Sequence, residues 1–378
     1  IGGRLLNGSV SLEGRPEAPN DSYKSTIYVQ VPNSAAGTAN GACGTAPGCK
    51  IVTDNTGAFS LPLNGSGIAG VDIAESGDHY VLIKGAHTLR IKRSVNFDDN
   101  VVNVSFASAL REGDTTAATD TVAPSYNKVD LVDFSYFVSK LGGTDTQSDF
   151  NQDGTVDLTD FSLLASNFGA SGLSKPSVDS VASVPSQVVS LSLSPESASV
   201  TAGDVVDVTV RVNAAGQAVD AVGAFLNFDP AVLSVESIEG SGPMDTVLQS
   251  SYSNSEGSIS YQAGTLSQNF PDGNFDLLTI RFRTKGAMVG PVASVADDST
   301  ALRAGNNVFS HVGEITALTV NESADDSTGG ANPVTESEPT TSGFGCSVAT
   351  APGAIDPLLP LLTLSGLLFL LRRRKVSC

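Results

Sequence analysis

DFNQDGTVDLTD, Asp149 to Asp160, sets oxygen-bearing side chains at alternate positions and places a glycine sixth. Counting Asp149 as 1, Asn151 and Asp153 fall at 3 and 5, Thr155 offers a backbone carbonyl at 7, Asp157 stands at 9 and Asp160 closes the loop at 12. A calcium ion takes about six to eight oxygens in this order, and the sharp turn at 6 favours a residue tolerant of positive φ, here Gly154. The stretch therefore reads as a calcium loop ligated by Asp149, Asn151, Asp153, Thr155, Asp157 and Asp160. An EF-hand normally ends in a Glu long enough to give both oxygens, so Asp160 points to a different loop family.

Working outward, Leu158, Phe161, Leu164 (or Ala165) and Phe168 recur at helical spacing, and Gly169 stands where a helix ends. The same unit occurs 27 residues earlier: VDLVDFSYFVSKLG (Val129 to Gly142) matches VDLTDFSLLASNFG (Val156 to Gly169) at eight of fourteen positions. This is an internal duplication. A duplicated loop with Asp at position 12, each copy followed by one helix and preceded by none, resembles the dockerin module of cellulosome-type assemblies, over roughly Leu110 to Gly172. In the first copy the in-register positions 1, 3 and 5 are Val122, Pro124 and Tyr126, none of them a carboxylate; Asp114 or Asp120 substitutes only across an eight-residue insertion. One calcium ion is expected at the second loop, and the first is left open. The resemblance makes Leu158 and Thr159, with Leu131 and Val132 in the first copy, candidate partner contacts or simply core.

With 40 acidic against 21 basic residues and a net charge of -19, nucleic acid and anionic lipid are poor partners and divalent cations good ones. At 378 residues the chain exceeds one core. Residue 1 is Ile, which suggests a processed or truncated product. Cys43 and Cys49, in GACGTAPGCK, are placed to close a small loop.

Residues 1–109 alternate strand-like runs with turns (GSVSLEG, STIYVQV, TDNTGAFSLPL, HYVLIKGAHTLRIKR, VVNVSFASAL) and predict a small β-sandwich. Thr53 to Leu61 followed by His79 to Leu89 resembles the transthyretin-like regulatory domain of carboxypeptidases. His79 and His87 flank a strand and read as surface histidines. Residues 173–187 read as a linker. Seven strand-like runs between 188 and 320 then predict a jelly roll of seven to nine strands. Phe225 to Val235 (FLNFDPAVLSV), Tyr261 to Ser267 (YQAGTLS) and Leu278 to Lys285 (LTIRFRTK) resemble the cohesin family, the receptors that dockerins bind. Residues 321–345, rich in Asp, Ser, Thr and Glu, predict disorder.

In 346–378, PLLPLLTLSGLLFLL (Pro357 to Leu371) has no charge and is followed by Arg372, Arg373, Arg374 and Lys375. Fifteen helical residues cover only about 22 Å of a roughly 30 Å hydrocarbon core, unless Ala354 and Ile355 contribute. With Gly345-Cys346-Ser347 ahead of it, the tail resembles the C-terminal sorting tags of Gram-negative bacteria, with Cys346 at the processing site. The alternative is a permanent tail anchor, and either keeps the basic cluster cytoplasmic and the rest outside.

No GxSxG, HExxH, CxxC or phosphate-binding Gly loop occurs, only three His are present, and the absence of Trp argues against a sugar-stacking platform. The expected architecture is mainly β: transthyretin-like and cohesin-like sandwiches joined by a small helical dockerin-like calcium module, plus one C-terminal transmembrane segment. The expected function is non-catalytic: an envelope-anchored assembly protein contacting cohesin- or dockerin-bearing proteins, with polysaccharide-degrading machinery as its setting. The alternative is a carbohydrate-binding or matrix adhesion protein using the sandwiches directly. A flexible linker of residues 173–187 reaches roughly 20 Å, short against a sandwich of roughly 20 to 35 Å, which predicts pairing between chains rather than within one.

Overall fold

Alternation of buried and exposed residues builds the N-terminal strands of the computed structural model, which describes residues 4–31, 48–63, 78–116, 126–173 and 188–323. They are β1 (Arg4–Leu12), β2 (Thr26–Gln30), β3 (Cys49–Val52), β4 (Ala58–Leu63), β5 (Asp78–Gly85), β6 (Ile91–Asn96) and β7 (Val101–Leu110). One sheet runs β4-β1-β7, with β1 antiparallel to β4 and parallel to β7; the other runs β3-β2-β5-β6. Leu6, Ile27, Val29, Phe59, Ile83 and Phe106 form the core between them. Cys49 is disulfide-bonded, and Cys43 lies outside the described residues.

Helices α1 (Leu131–Lys140) and α2 (Leu158–Asn167) are the two copies of the repeat. Asp130 and Asp157 cap their N-termini, and Asp133 and Asp160, three residues on, close a capping box by accepting from the cap's own N–H. The glycines after the helices, Gly142 and Gly169, take φ of 83° and 82°, the left-handed turn that ends a helix at little steric cost to glycine.

The second β region comprises β8 (Val189–Pro195), β9 (Ser199–Thr201), β10 (Val205–Asn213), β11 (Ala221–Asn227), β12 (Leu233–Gly240), β13 (Thr246–Ser253), β14 (Ser258–Gly264) and β15 (Asn274–Thr284). It continues through β16 (Met288–Pro291), β17 (Ser294–Val295), β18 (Thr300–Arg303), β19 (Asn306–Asn307), β20 (Phe309–Ile315) and β21 (Ala317–Asn321). Sheets β12-β15-β10-β8-β20 and β13-β14-β11-β18-β19 face each other over Leu191, Val208, Leu226, Tyr261, Ile280 and Phe282. The segment thus holds more strands than the seven to nine expected. The additional ones are short, or, like β13 with Val247 and Tyr252 exposed, lie at a sheet edge without apolar alternation.

A third core joins everything: Leu89 from the first sandwich, Val129, Phe134, Phe137, Phe150 and Leu164 from the helical module, and Ala221 and Leu302 from the second sandwich. The described parts accordingly belong to one unit, Ile1–Ala324. The remainder of the linker after Leu173, the stretch from 324 through Cys346, and the apolar tail with its basic cluster lie outside the described residues. Among the described residues no helix is long and apolar enough to cross a membrane.

Candidate functional site

The loop Asp149–Asp160 is wound by its own side chains. Asp149 accepts from the N–H groups of Asp153 (3.2 Å) and Gly154 (3.0 Å), and Asn151 Oδ1 accepts from Asp153 (2.9 Å). Asp160 accepts from Asn151 and Asp157, both at 3.0 Å. Gly154 has φ of 99°, the turn the spacing required. Asp149, Asn151 and Asp160 are buried, whereas Asp153, Thr155 and Asp157 are exposed.

Burial raises the Asp160 carboxyl above the usual range, with the nearby Asp149 charge adding to it. Hydrogen bonds from Thr155 and Asn151 lower Asp153. Among the described residues no group of three or more His, Cys, Asp or Glu is gathered tightly enough to hold a metal. The donor types are those a hard cation takes: two buried carboxylates, an amide oxygen and an exposed carboxylate within twelve residues.

Behind the loop lies a buried polar hub. Arg15, whose side chain is 1% exposed, donates to the Phe150 carbonyl and pairs with Glu112 at 3.4 Å. Glu112, wholly buried, also holds His87 Nδ1. His87 is therefore a core residue and not the surface histidine expected, because Glu112 comes across from the strand end to meet it and Phe150 packs on its ring. The side chain of His79 lies outside the described residues. Asn167 donates to Glu13 (2.6 Å) and to the Glu112 carbonyl (3.0 Å), and Gln147 to the Ala86 carbonyl (2.8 Å).

On the other side α1 lies against β11, β14 and β18. The sheet is made for close approach: a Cβ on Gly264 would stand 2.2 Å from Phe134 Cε1, and one on Gly223 would stand 3.3 Å from Leu131 Cδ2. Ser135 Oγ donates to Asp220 Oδ1 and accepts from Gly305 N–H at 2.8 Å. Asp220 Oδ2 accepts from Ala304 N–H (2.7 Å) and Arg303 Nη1 (3.0 Å), and Gln268 donates to the Val138 carbonyl (3.1 Å). Burial raises the Asp220 carboxyl, against the pull of the Ser135, Ala304 and Arg303 contacts.

Of the four candidate contact residues, Leu131 is buried and Val132 half-buried in the core shared with this sheet, while Leu158, 61% exposed, and Thr159 face solvent on α2. The expectation that the second sandwich would avoid its own module is overturned. The linker estimate took the length of the sandwich as the distance to span, but Phe134 packs on Gly264 of β14 and Ser135 bonds Asp220, next to β11, so α1 already lies against this sheet. The residues of this contact that sequence reasoning missed, Ser135 and Asp220, stand 85 positions apart and share no motif.

Comparison with curated proteins gives no match. Among solved structures the chain is similar to the third cohesin ScaC bound to the ScaB dockerin, from Acetivibrio cellulolyticus (21% identity, 35% of this chain and 99% of that one, TM-score 0.30). It is also similar to a non-cellulosomal cohesin of Archaeoglobus fulgidus (15%, 35% and 90%, TM-score 0.28) and to the Coh-OlpC-Doc435 complex of Clostridium thermocellum (10%, 38% and 99%, TM-score 0.31). The family model of the cohesin domain matches residues 191–321, the span from β8 to β21.

Proposed function

We propose that the chain is a non-catalytic assembly protein of the extracellular side, whose cohesin-type sandwich contacts dockerin-type calcium modules, its own module first. The observation that carries this reading is the seat of α1 on the β11-β14-β18 face, with the Ser135 hydroxyl held between Asp220 and Gly305. The loop Asp149–Asp160 would supply calcium dependence, since its four carboxylates repel one another when drawn together until a divalent ion joins them. Asp149, Asn151, Asp153 and Asp160 would hold the ion, with Thr155 and Asp157 completing the set. The setting proposed for this assembly is polysaccharide-degrading machinery.

Calorimetric titration of the full chain should show calcium uptake that Asp153→Ala removes. Equal uptake by both, or none by the wild type, would refute the calcium reading. The apolar tail and its basic cluster are proposed to hold the protein at the envelope. Deleting residues 346–378 should release it into the medium, and full retention in the membrane fraction would disprove the anchor.

A further inference from the structure

Part of the hydrogen-bond pattern of the second loop recurs in the first. Asp133 accepts from Asp130 N–H at 2.8 Å, as Asp160 accepts from Asp157 one repeat later, and also accepts from Thr115 N–H at 2.8 Å. Asp114 accepts from Asn127 (2.9 Å), as Asp149 accepts from Gly154 one repeat later, and also accepts from Thr116 (3.1 Å). Asp114 thus opens the first loop and Asp133 closes it.

Arg15 stands behind the second loop paired to Glu112, whereas at the first loop a cation bonds a loop carboxylate itself. Lys84 of β5 is 1% exposed and reaches out of the first sandwich to place Nζ 2.5 Å from Asp114 Oδ2 and 2.5 Å from the Thr88 carbonyl, beside the ring of Tyr126. An ammonium so buried stays charged only where carboxylates and carbonyls replace its water. Burial lowers Lys84 and raises Asp114, and the contact between them opposes both shifts. Burial, with the Asp114 charge, pushes Asp133 well above the usual carboxylate range. Lys84 therefore sets a cation directly on the carboxylate that opens the first loop, whose four Asp (Asp114, Asp120, Asp130 and Asp133) spread over twenty residues with Lys128 among them, whereas the second loop sets four Asp on twelve residues with no Lys or Arg.

We propose that Lys84 is the resident cation of the first loop, a tethered ammonium where the second loop is built to take a divalent ion. The α1 helix and its seat on the β11-β14-β18 face are thereby held without calcium. This holds whether or not the second loop binds an ion and whatever partner the chain meets.

Hydrogen exchange on the full chain, in excess calcium and then in EDTA, tests it. With free calcium about 100 times its dissociation constant, segments that open with the second loop should lose up to roughly 100-fold protection on chelation, while residues 131–140 keep theirs. Lys84→Met should strip protection from 126–140 in either condition, and adding Asp114→Asn should restore it. Loss of 131–140 together with 151–160 in the wild type under EDTA overturns the proposal, as does unchanged protection in Lys84→Met. Should Lys84→Met not fold, calcium stoichiometry of the wild type decides: an ion at the first loop overturns the assignment, and none there supports it. If chelation changes nothing anywhere, the calcium reading of the second loop fails, while the Lys84→Met comparison still decides for or against the tethered ammonium.

Discussion

Ser135→Asp is expected to drive α1 off the sheet it covers. The hydroxyl it replaces is fully buried, donates to Asp220 and accepts from Gly305. A carboxylate there cannot donate, and it meets the Asp220 carboxylate, which Arg303 and the Ala304 amide already satisfy on its other oxygen. An uncompensated buried charge typically costs about 3 to 5 kcal/mol, enough to break the contact while both sandwiches keep their own cores. The repeat supplies its own control. Ser162 occupies the same place on α2, but it is exposed and its hydroxyl bonds back to the Leu158 carbonyl, so Ser162→Asp should stay within about 0.5 kcal/mol. Urea denaturation with hydrogen exchange at 131–140 reads both, and the freed face should take up a separately added module that the wild type excludes. Equal effects of the two substitutions would show that the serine contact does not hold the helix.

Glu112→Ala is expected to be as damaging on the opposite side of the module. It leaves the Arg15 guanidinium buried with the Phe150 carbonyl as its remaining hydrogen-bond acceptor and His87 Nδ1 without its carboxylate. The expected loss is about 3 to 5 kcal/mol, seen as a lower urea midpoint with an unchanged slope. A second effect follows from geometry. Asp149 and Asp160 are the other carboxylates within electrostatic reach of Arg15, so an arginine released from Glu112 competes for the charge that an ion at the second loop needs. Calcium affinity should fall, and Arg15→Met in the same chain should recover both stability and affinity. Unchanged stability in Glu112→Ala would mean that the hub carries no weight in joining the first sandwich to the module.

Much of this was legible in the chain. The DxNxDG run placed the turn at Gly154, the repeat placed both helices, and alternating Val, Leu and Ile runs marked most longer strands. What remained hidden depended on residues far apart in sequence. Asp114 was only one of two candidates to open the first loop, with Asp120, because the insertion moves it eight places off the register that the repeat defines, and the Lys84 that meets it lies 30 positions earlier on β5. His87 looked like a surface residue because its partner Glu112 is 25 positions away. Strand β13 escaped because an edge strand needs no buried side to pair with β14. The face under α1 escaped because its distinguishing feature is the absence of side chains at Gly223 and Gly264.

The cover that α1 lays over β11, β14 and β18 also sets a threshold for any competitor. Two surfaces carried on one chain meet at an effective concentration that is typically about millimolar for short connections. A free rival binding the bare face with micromolar affinity would therefore occupy little of it at micromolar supply. To win half the molecules at that supply it must bind roughly 1000-fold better than the resident helix. The protein would then discriminate by affinity alone, staying closed to weak or chance encounters and opening for a strong one.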